Sequence, residues 1–335
     1  MSEFRQDRTT GNWVIIAAER GQRPHSQLHQ IHRPESVREF DLTCPFCPGN
    51  EMQLPGILFE IPNRSPPGWK VRAIPNKYPV AQLSAPVPQT LGNDIAMTAL
   101  GSHEVVIESP KHDDNPASFS DDQIAALVSV YRRRFSELLA LPDVETVILF
   151  RNHGASSGAS LRHPHSQIIA LGMRPPRLRS IEDWMWRRWN ETGRCVTCDL
   201  LDAECANGKH VVEDTQAFTA IVPFAATVPF EIWIVPKRHC ASFPDLSEAE
   251  LTDFGRILRS VLHRLKAACD DPPYNFASES FDFLGHDAQH AHWRLRIAPE
   301  LVTWGGFELA TGIPINPSSP DRDAALLRSM TPFPI

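Results

Sequence analysis

A chain of 335 residues, 42% hydrophobic and 22% charged, has the make-up of a globular protein with room for two domains or one large one. Its net charge of −7 excludes a general nucleic-acid surface, and no apolar run reaches the ~18 residues of a membrane span, so neither nucleic acid nor membrane is an expected partner. Seven cysteines, four of them in two Cys-x-x-Cys pairs, look like metal ligands in a reducing compartment rather than a disulfide frame. The first residues, MSEFRQDRTTGNWVII, lack the basic and apolar regions of a signal peptide, so a cytoplasmic protein is expected.

In chain order, the turn Thr10-Gly11-Asn12 precedes a short buried strand over 13–18 (WVIIAA). It delivers Arg20 and Arg23 to a loop, where two guanidiniums could clamp an anion or simply be solvated. A proline-rich, polar segment leads to Cys44-Pro-Phe-Cys47-Pro-Gly-Asn50, a tight knuckle suited to holding two thiolates on one tetrahedral zinc. A redox dithiol is the alternative, but no strand–helix–strand pattern surrounds the pair. A strand over 69–74 runs into Pro75-Asn76-Lys77-Tyr78-Pro79, and another over 102–112 ends in a turn at His112. Ser120 opens a helix: it is a good N-cap, Asp121 and Asp122 fill the first turn, and apolar residues follow at helical spacing. A buried strand over 144–150 leads to a loop of small residues, Gly154 to Ser160 with Gly158 between, whose backbone amides can approach phosphate oxygens. His163, His165 and Gln167 then alternate into an apolar strand, which puts them on one face. The plainer reading is an edge strand that carries histidines, and Pro164 permits it.

The later half repeats this plan. Residues 229–239 (PFEIWIVPKRH) match the strand that ends at His112, with His239 in its place. A helix from 246 has Ser247 at its start, and 290–297 (HAHWRLRI) stands where the His163 strand stood. His112 and His163 are 51 positions apart, His239 and His292 are 53, and the Cys-x-x-Cys recurs as Cys195 and Cys198. That is a tandem duplication. It gathers the ligands into two sets: Cys44, Cys47, His112 and His163, then Cys195, Cys198, His239 and His292. Each is a closed tetrahedral zinc site, although His290 competes with His292 in the second. Cys205, Cys240 and Cys269 are left as packing thiols.

His165 has no metal to bind if His163 turns toward zinc. A neutral imidazole beside an amide-rich loop, its wobble limited by Pro164, is a competent nucleophile toward phosphorus. The matching position in the second half is Arg294, which stays charged and cannot attack, so one active site per chain is expected. Gln167 can hydrogen-bond phosphoryl oxygens but cannot take a proton from water, which tilts the chemistry from hydrolysis toward transfer.

GASLRHPHSQ, the CPFC knuckle, the SPKH histidine and the duplicated layout resemble the galactose-1-phosphate uridylyltransferase family, of the histidine-triad superfamily. The resemblance covers nearly the whole chain. It implies an α/β (α+β) fold of two histidine-triad-like halves, 1–175 and 190–335, each an antiparallel sheet with flanking helices, and only the first active. It implies a ping-pong transfer through a nucleotidyl-histidine, with a nucleotide sugar and a sugar 1-phosphate or phosphate as partners, in a homodimer. His165 would be the nucleophile, with Ser160 and Gln167 on the phosphoryl oxygens. Arg20, Arg23, Asn76, Asn152 and Gly158 would contact the nucleotide or its phosphates. The chain departs from the family pattern at three places: His292-Trp-Arg294 replaces a His-x-His, Asn76-Lys77 replaces an Asn-Asp, and 303–316 lacks a lysine and glutamine that grip the sugar phosphate. There it looks more like the branch that includes ADP-glucose phosphorylase. Hexose-1-phosphate uridylyl transfer is the leading expectation, adenylyl transfer to phosphate the alternative, and a non-catalytic nucleotide sensor the reading from another class.

Overall fold

The computed structural model describes residues 2–22, 39–64, 67–83, 89–91, 94–281 and 288–331. An N-terminal hairpin pairs β1 (Glu3–Gln6) with β2 (Trp13–Ile16). The first repeat follows as β3 (Phe59–Arg64), β4 (Pro67–Pro75), the small hairpin β5 (Gln89–Leu91) and β6 (Asp94–Ala96), β7 (Gly101–Ile107), α1 (Asp121–Leu139), β8 (Thr146–His153) and β9 (His165–Leu171). Two connecting helices, α2 (Pro176–Thr192) and α3 (Val196–Asn207), lead into the second. That repeat is β10 (Val211–Asp214), β11 (Phe218–Ile221), β12 (Ile232–Pro236), α4 (Glu248–Cys269), β13 (Tyr274–Glu279) and β14 (Arg294–Pro299). The chain closes with α5 (Gly306–Thr311), β15 (Ile315–Asn316) and α6 (Pro320–Ser329).

Both expected antiparallel half-sheets are present, and they join. The strands form one ten-stranded sheet in the order β10-β11-β12-β14-β13-β8-β9-β7-β4-β3. Its centre is the antiparallel pair β8–β13, with Asn152 opposite Asn275. Outward from that pair, β9 and β14, β7 and β12, β4 and β11, β3 and β10 take matching places, as a duplicated unit docked edge to edge requires. Joining there pairs two edges that would otherwise stay open.

The long helices form where the sequence caps them. Ser120 Oγ accepts from Gln123 N–H at 3.2 Å to start α1, and Ser247 with Glu250 forms a capping box for α4. Both helices lie on one face of the sheet. Leu127, Val130 and Phe135 of α1 share a single core with Phe254, Ile257 and Val261 of α4, Ile168 of β9 and Leu295 of β14. Strand residues alternate faces, so His103, Val105, Ile107, His165 and Gln167 occupy the opposite face, away from the helices. The alternation thus separates the shared core from the side that can meet a substrate.

β1, β2 and β15 form a separate sheet, in which β15 runs parallel to β2. Val14 and Ile16 pack on Ala225, and the Arg5 guanidinium donates to Phe224 O at 2.9 Å, so the N-terminal hairpin is fixed to the second half. Among the described residues, no helix is long and apolar enough to cross a membrane.

Candidate active site and metal groups

The knuckle at Cys44 is built by its own turns. Cys47 N–H donates to Cys44 O at 3.2 Å, and Asn50 Nδ2 donates to Cys44 O at 2.7 Å. Both thiols point inward and are buried. His112, after β7, brings Nδ1 to 3.5 Å from Cys47 Sγ. His163 brings Nδ1 to 3.6 Å from Cys47 Sγ and 3.7 Å from Cys44 Sγ. The four ligand atoms lie within 4.8 Å of one another, the span of a tetrahedral shell. His163 is aimed from behind: Nε2–H donates to Ser109 O at 2.8 Å, which leaves Nδ1 unprotonated toward the thiols. Burial pushes its pKa down to about 4, so the ring is neutral, as a metal ligand must be. The donor set therefore fits a metal such as zinc.

β9 begins at His165, so His163 stands in the approach to the strand rather than within it. The two histidines divide their work there. The only partner a carbonyl can offer is an acceptor, so the 2.8 Å contact between His165 Nδ1 and His163 O means that Nδ1–H donates. The proton is thereby placed on Nδ1, and Nε2 keeps a free lone pair. Burial holds the pKa of His165 below the ordinary histidine value, which keeps the ring neutral. Phe46, inside the knuckle, packs edge-on against both rings, with centroids 5.9 Å from His163 and 5.6 Å from His165.

On the helix side of the same strand, Ser166 and Tyr131 donate to the buried carboxylate of Glu108. Arg151 neutralises it, with Nε 3.1 Å from each oxygen. A buried charge is tolerated only with such partners, and this set anchors β9 to β7 and β8 directly beneath the nucleophile candidate.

The small-residue loop is shaped by its glycines. Gly154 has φ +84, and a Cβ there would come 2.7 Å from Pro273 Cβ; Gly158 has φ +90. Asn152 Nδ2 reaches Gly158 O at 3.4 Å, while Asn152 Oδ1 accepts from Asn275 Nδ2 at 2.8 Å. The same Asn275 amide donates to Ser157 O at 2.9 Å, so the second half ties down the first half's loop. Ser160 is exposed on that loop, five positions before His165. Gln167 Oε1 lies 2.7 Å from His103 Nε2, and Asn76 Nδ2 lies 3.0 Å from the same nitrogen. His165, Gln167, Asn76, Asn152 and Gly158 thus gather on the open face of the sheet. Arg20 is exposed in the turn after β2, the strand that packs on the second half. Arg23 lies outside the described residues.

Phe46, His103, Glu108 and Asn275 escaped the sequence reading. The period-two pattern of SHEVVIE could have flagged His103 and Glu108 as polar residues inside a buried strand. For Phe46 and Asn275 the sequence offers no signal.

In the second half, Cys195, Cys198, His239 and His292 also lie within 4.8 Å of one another. His292 Nε2–H donates to Pro236 O at 3.0 Å and turns Nδ1 to 3.4 Å from Cys198 Sγ. His290 is not part of the group; it packs against Trp186 at 4.8 Å, which answers the competition between the two histidines. Arg294 holds the place of His165, is 2% exposed, and is spent on neighbours. Its Nε is 2.6 Å from Glu279 Oε2, its Nη1 donates to Thr9 Oγ1 at 2.7 Å, and its guanidinium lies 3.6 Å over the Trp233 ring.

A duplicated antiparallel frame with a buried neutral imidazole beside a glycine-shaped loop is the architecture of a nucleotidyl-transferring enzyme. The comparisons agree. Residues 1–175 match the family model of the galactose-1-phosphate uridyl transferase N-terminal domain, and residues 179–301 match that of its C-terminal domain. The chain belongs to the galactose-1-phosphate uridyl transferase family. It is 34% identical to an ADP-glucose phosphorylase of Arabidopsis thaliana over 98% of this chain and 93% of that one. It is 28% identical to a galactose-1-phosphate uridylyltransferase of Thermotoga maritima over 98% of each. A crystal structure of an Arabidopsis thaliana ADP-glucose phosphorylase with bound ADP-glucose superposes with a TM-score of 0.83 at 33% identity, covering 99% of both chains. A uridylyltransferase structure does so with a TM-score of 0.75 at 27% identity, covering 98% of both.

Proposed function

We propose that His165 takes a nucleotidyl group from a nucleotide sugar and passes it to a phosphate-bearing acceptor. One observation carries this: Nδ1–H is committed to His163 O, so Nε2 presents its lone pair. In the first half-reaction Nε2 attacks the phosphorus next to the nucleoside. An N–P bond forms, the bond to the bridging oxygen breaks, and a hexose 1-phosphate leaves with that electron pair. The positive charge that develops on the ring is stabilised by the Nδ1–H···O bond. In the second half-reaction an anionic oxygen of the acceptor attacks the same phosphorus, and the N–P pair returns to Nε2. Ser160 Oγ–H and the Gln167 amide donate to the phosphoryl oxygens, with Asn152 and Gly158 at the loop wall. Arg20 and Arg23 are assigned to the nucleotide or its phosphates on the resemblance alone.

Residues 1–175 carry this chemistry, and 190–335 are the degenerate half. Zinc would be held by Cys44, Cys47, His112 and His163, and a second ion by Cys195, Cys198, His239 and His292. When bound it supplies structural rigidity, because all four positions of each shell are taken by protein. His163 then fixes the carbonyl that orients His165.

Uridylyl transfer to a hexose 1-phosphate is supported by the family match. Adenylyl transfer from an ADP-sugar to phosphate has a specific observation in its favour: the likeness to the phosphorylase is greater in identity and in TM-score. Phosphate is therefore the acceptor to try first. The test feeds UDP-glucose or ADP-glucose labelled at the phosphorus next to the nucleoside. An acid-labile, base-stable nucleotidyl-histidine is expected, discharged faster by the correct acceptor than by water. Label that persists in His165→Ala, or release by water that no acceptor accelerates, would defeat the proposal. A cytoplasmic homodimer is part of this reading, and sedimentation at enzyme concentration checks the oligomeric state.

A further inference from the structure

We propose that His103 is a positioning residue that aims the Gln167 amide, so that its NH2 end rather than its oxygen meets the phosphoryl group; this rests on the reaction proposed above. His103 and Gln167 are diagonal neighbours on the open face. Gln167 pairs with Val105 across β9 and β7, His103 pairs with Ile169, and the diagonal between them is within reach of long side chains. His103 is buried, and its ring is held on both sides. Val80 N–H donates to Nδ1 at 3.3 Å, so the single ring proton belongs on Nε2. From there it donates to Gln167 Oε1 at 2.7 Å, the shorter of the two contacts at that nitrogen.

Asn76 pins the backbone that carries the imidazole: its backbone N–H donates to His103 O at 2.8 Å, and its Oδ1 accepts from Tyr78 N–H at 2.8 Å. That leaves Asn76 Nδ2 as a second donor 3.0 Å from His103 Nε2, so with the ring proton on Nε2 this contact is not a hydrogen bond and Gln167 Oε1 is the acceptor there. Burial holds His103 below the usual histidine pKa, which keeps it a neutral one-proton donor.

The arrangement matters because the terminal amide torsion of glutamine is broad and nearly two-fold. Without a partner for Oε1, Gln167 can turn over and set an oxygen lone pair against phosphoryl oxygens. A donor becomes a repulsive acceptor at no cost in side-chain geometry. His103 removes that choice, so its contribution should pass entirely through Gln167.

The experiment is a double-mutant cycle on the holoenzyme, reading formation of the labelled nucleotidyl-histidine from UDP-glucose and ADP-glucose. His103→Ala is expected to lower kcat about 10- to 100-fold, up to the lower edge of the ~10^2- to 10^3-fold cost of losing one donor to developing charge, because the amide is mis-aimed rather than removed, with KM within about 2-fold. Gln167→Ala should lose at least as much, and His103→Ala with Gln167→Ala no more than Gln167→Ala alone. His103→Gln, which restores an N–H donor, should recover part of the rate. Multiplicative losses in the double variant, or an unchanged kcat in His103→Ala, overturn the proposal. If His103→Ala fails to fold, the comparison is made with His103→Gln against His103→Leu. Nitrogen shifts of the His103 ring in labelled wild-type protein read the hydrogen bond without any turnover. A proton on Nε2 supports the assignment. A proton on Nδ1, which would make Nε2 accept from Asn76 and leave Gln167 unaimed, overturns it. A chain that forms no adduct from either nucleotide sugar refutes the proposed reaction, and the ring-nitrogen measurement then judges the His103–Gln167 bond by itself.

Discussion

The two halves of the sheet share strand order, helix placement and a thiol–imidazole group, yet one position of one strand carries opposite chemistry in each. Where β9 carries His165, a neutral ring with a free nitrogen, β14 carries Arg294, a cation locked to Glu279, Thr9 and Trp233. Burial works to raise the Glu279 pKa, and Arg294, Arg177 and Arg296 more than reverse it, bringing it down to about 2. The second half thus keeps the frame and converts the site position into a structural ion pair. The duplicated sheet is a scaffold, and the candidate site is a local addition to it.

The sharpest way to test this contrast is to remove the two residues in turn. His165→Ala is expected to lower adduct formation by at least about 10^4-fold, with metal content and melting temperature near wild type. Retained transfer would show that the first half holds another nucleophile.

The metal groups come next. Wild type should hold two zinc ions per chain by elemental analysis, and Cys44→Ser and Cys195→Ser should each lose one. Cys44→Ser should reduce activity about 10- to 100-fold as well as stability, because His163 O orients His165. Cys195→Ser should lower stability more than activity, since its histidines touch no reacting group. Equal activity losses in both would mean that the halves are coupled more tightly than the shared core implies.

Arg294→Ala should cost about 3–5 kcal/mol by denaturant unfolding, the size expected when one member of a buried pair is left alone. Adding Glu279→Gln should recover part of that loss. Adduct formation in the cold should survive both changes, unlike His165→Ala.

The smallest effect belongs to a clasp found in the second half. His210 Nδ1 is 2.8 Å from Glu204 of α3, and Nε2 is 2.7 Å from Asp321 of α6. The Glu204 hydrogen bond raises its pKa, opposed by burial, with Asp321 adding to the rise. A folded pKa above the unfolded value of about 6.5 stabilises fully below that pH, and the benefit is lost as pH rises through the folded value. Melting temperature should therefore fall above about pH 6.5 in wild type, and the slope should flatten in His210→Gln. Identical slopes would remove the clasp.

Much of the site was legible because it depends on short spacings. Cys44 and Cys47 must sit on one turn, Ser120 and Ser247 must precede their helices, and the repeat places four ligands twice in the same order. The choice between His290 and His292 was not legible, since both stand at a strand's approach. It is made by Pro236 O, which holds His292 inward, and by Trp186, which holds His290 aside. The connecting helix α2, with only a proline at its start and Gly193 after its end, carried no N-cap signal comparable to Ser120.

The sequence by itself determined the duplicated α/β plan, both Cys/His groups and an arginine in the second half where the first has His165, because period, capping and ligand type are properties of neighbours along the chain. Only the tertiary structure decided that the two half-sheets fuse at β8 and β13, that Asn275 braces the opposite half's loop, and that His103 grips Gln167. It also decided which nitrogen of His165 is free. These are questions of which donor meets which acceptor across strands remote in sequence. A ring's proton or an amide's orientation has no local code: it follows from the partner that folding brings within about 3 Å.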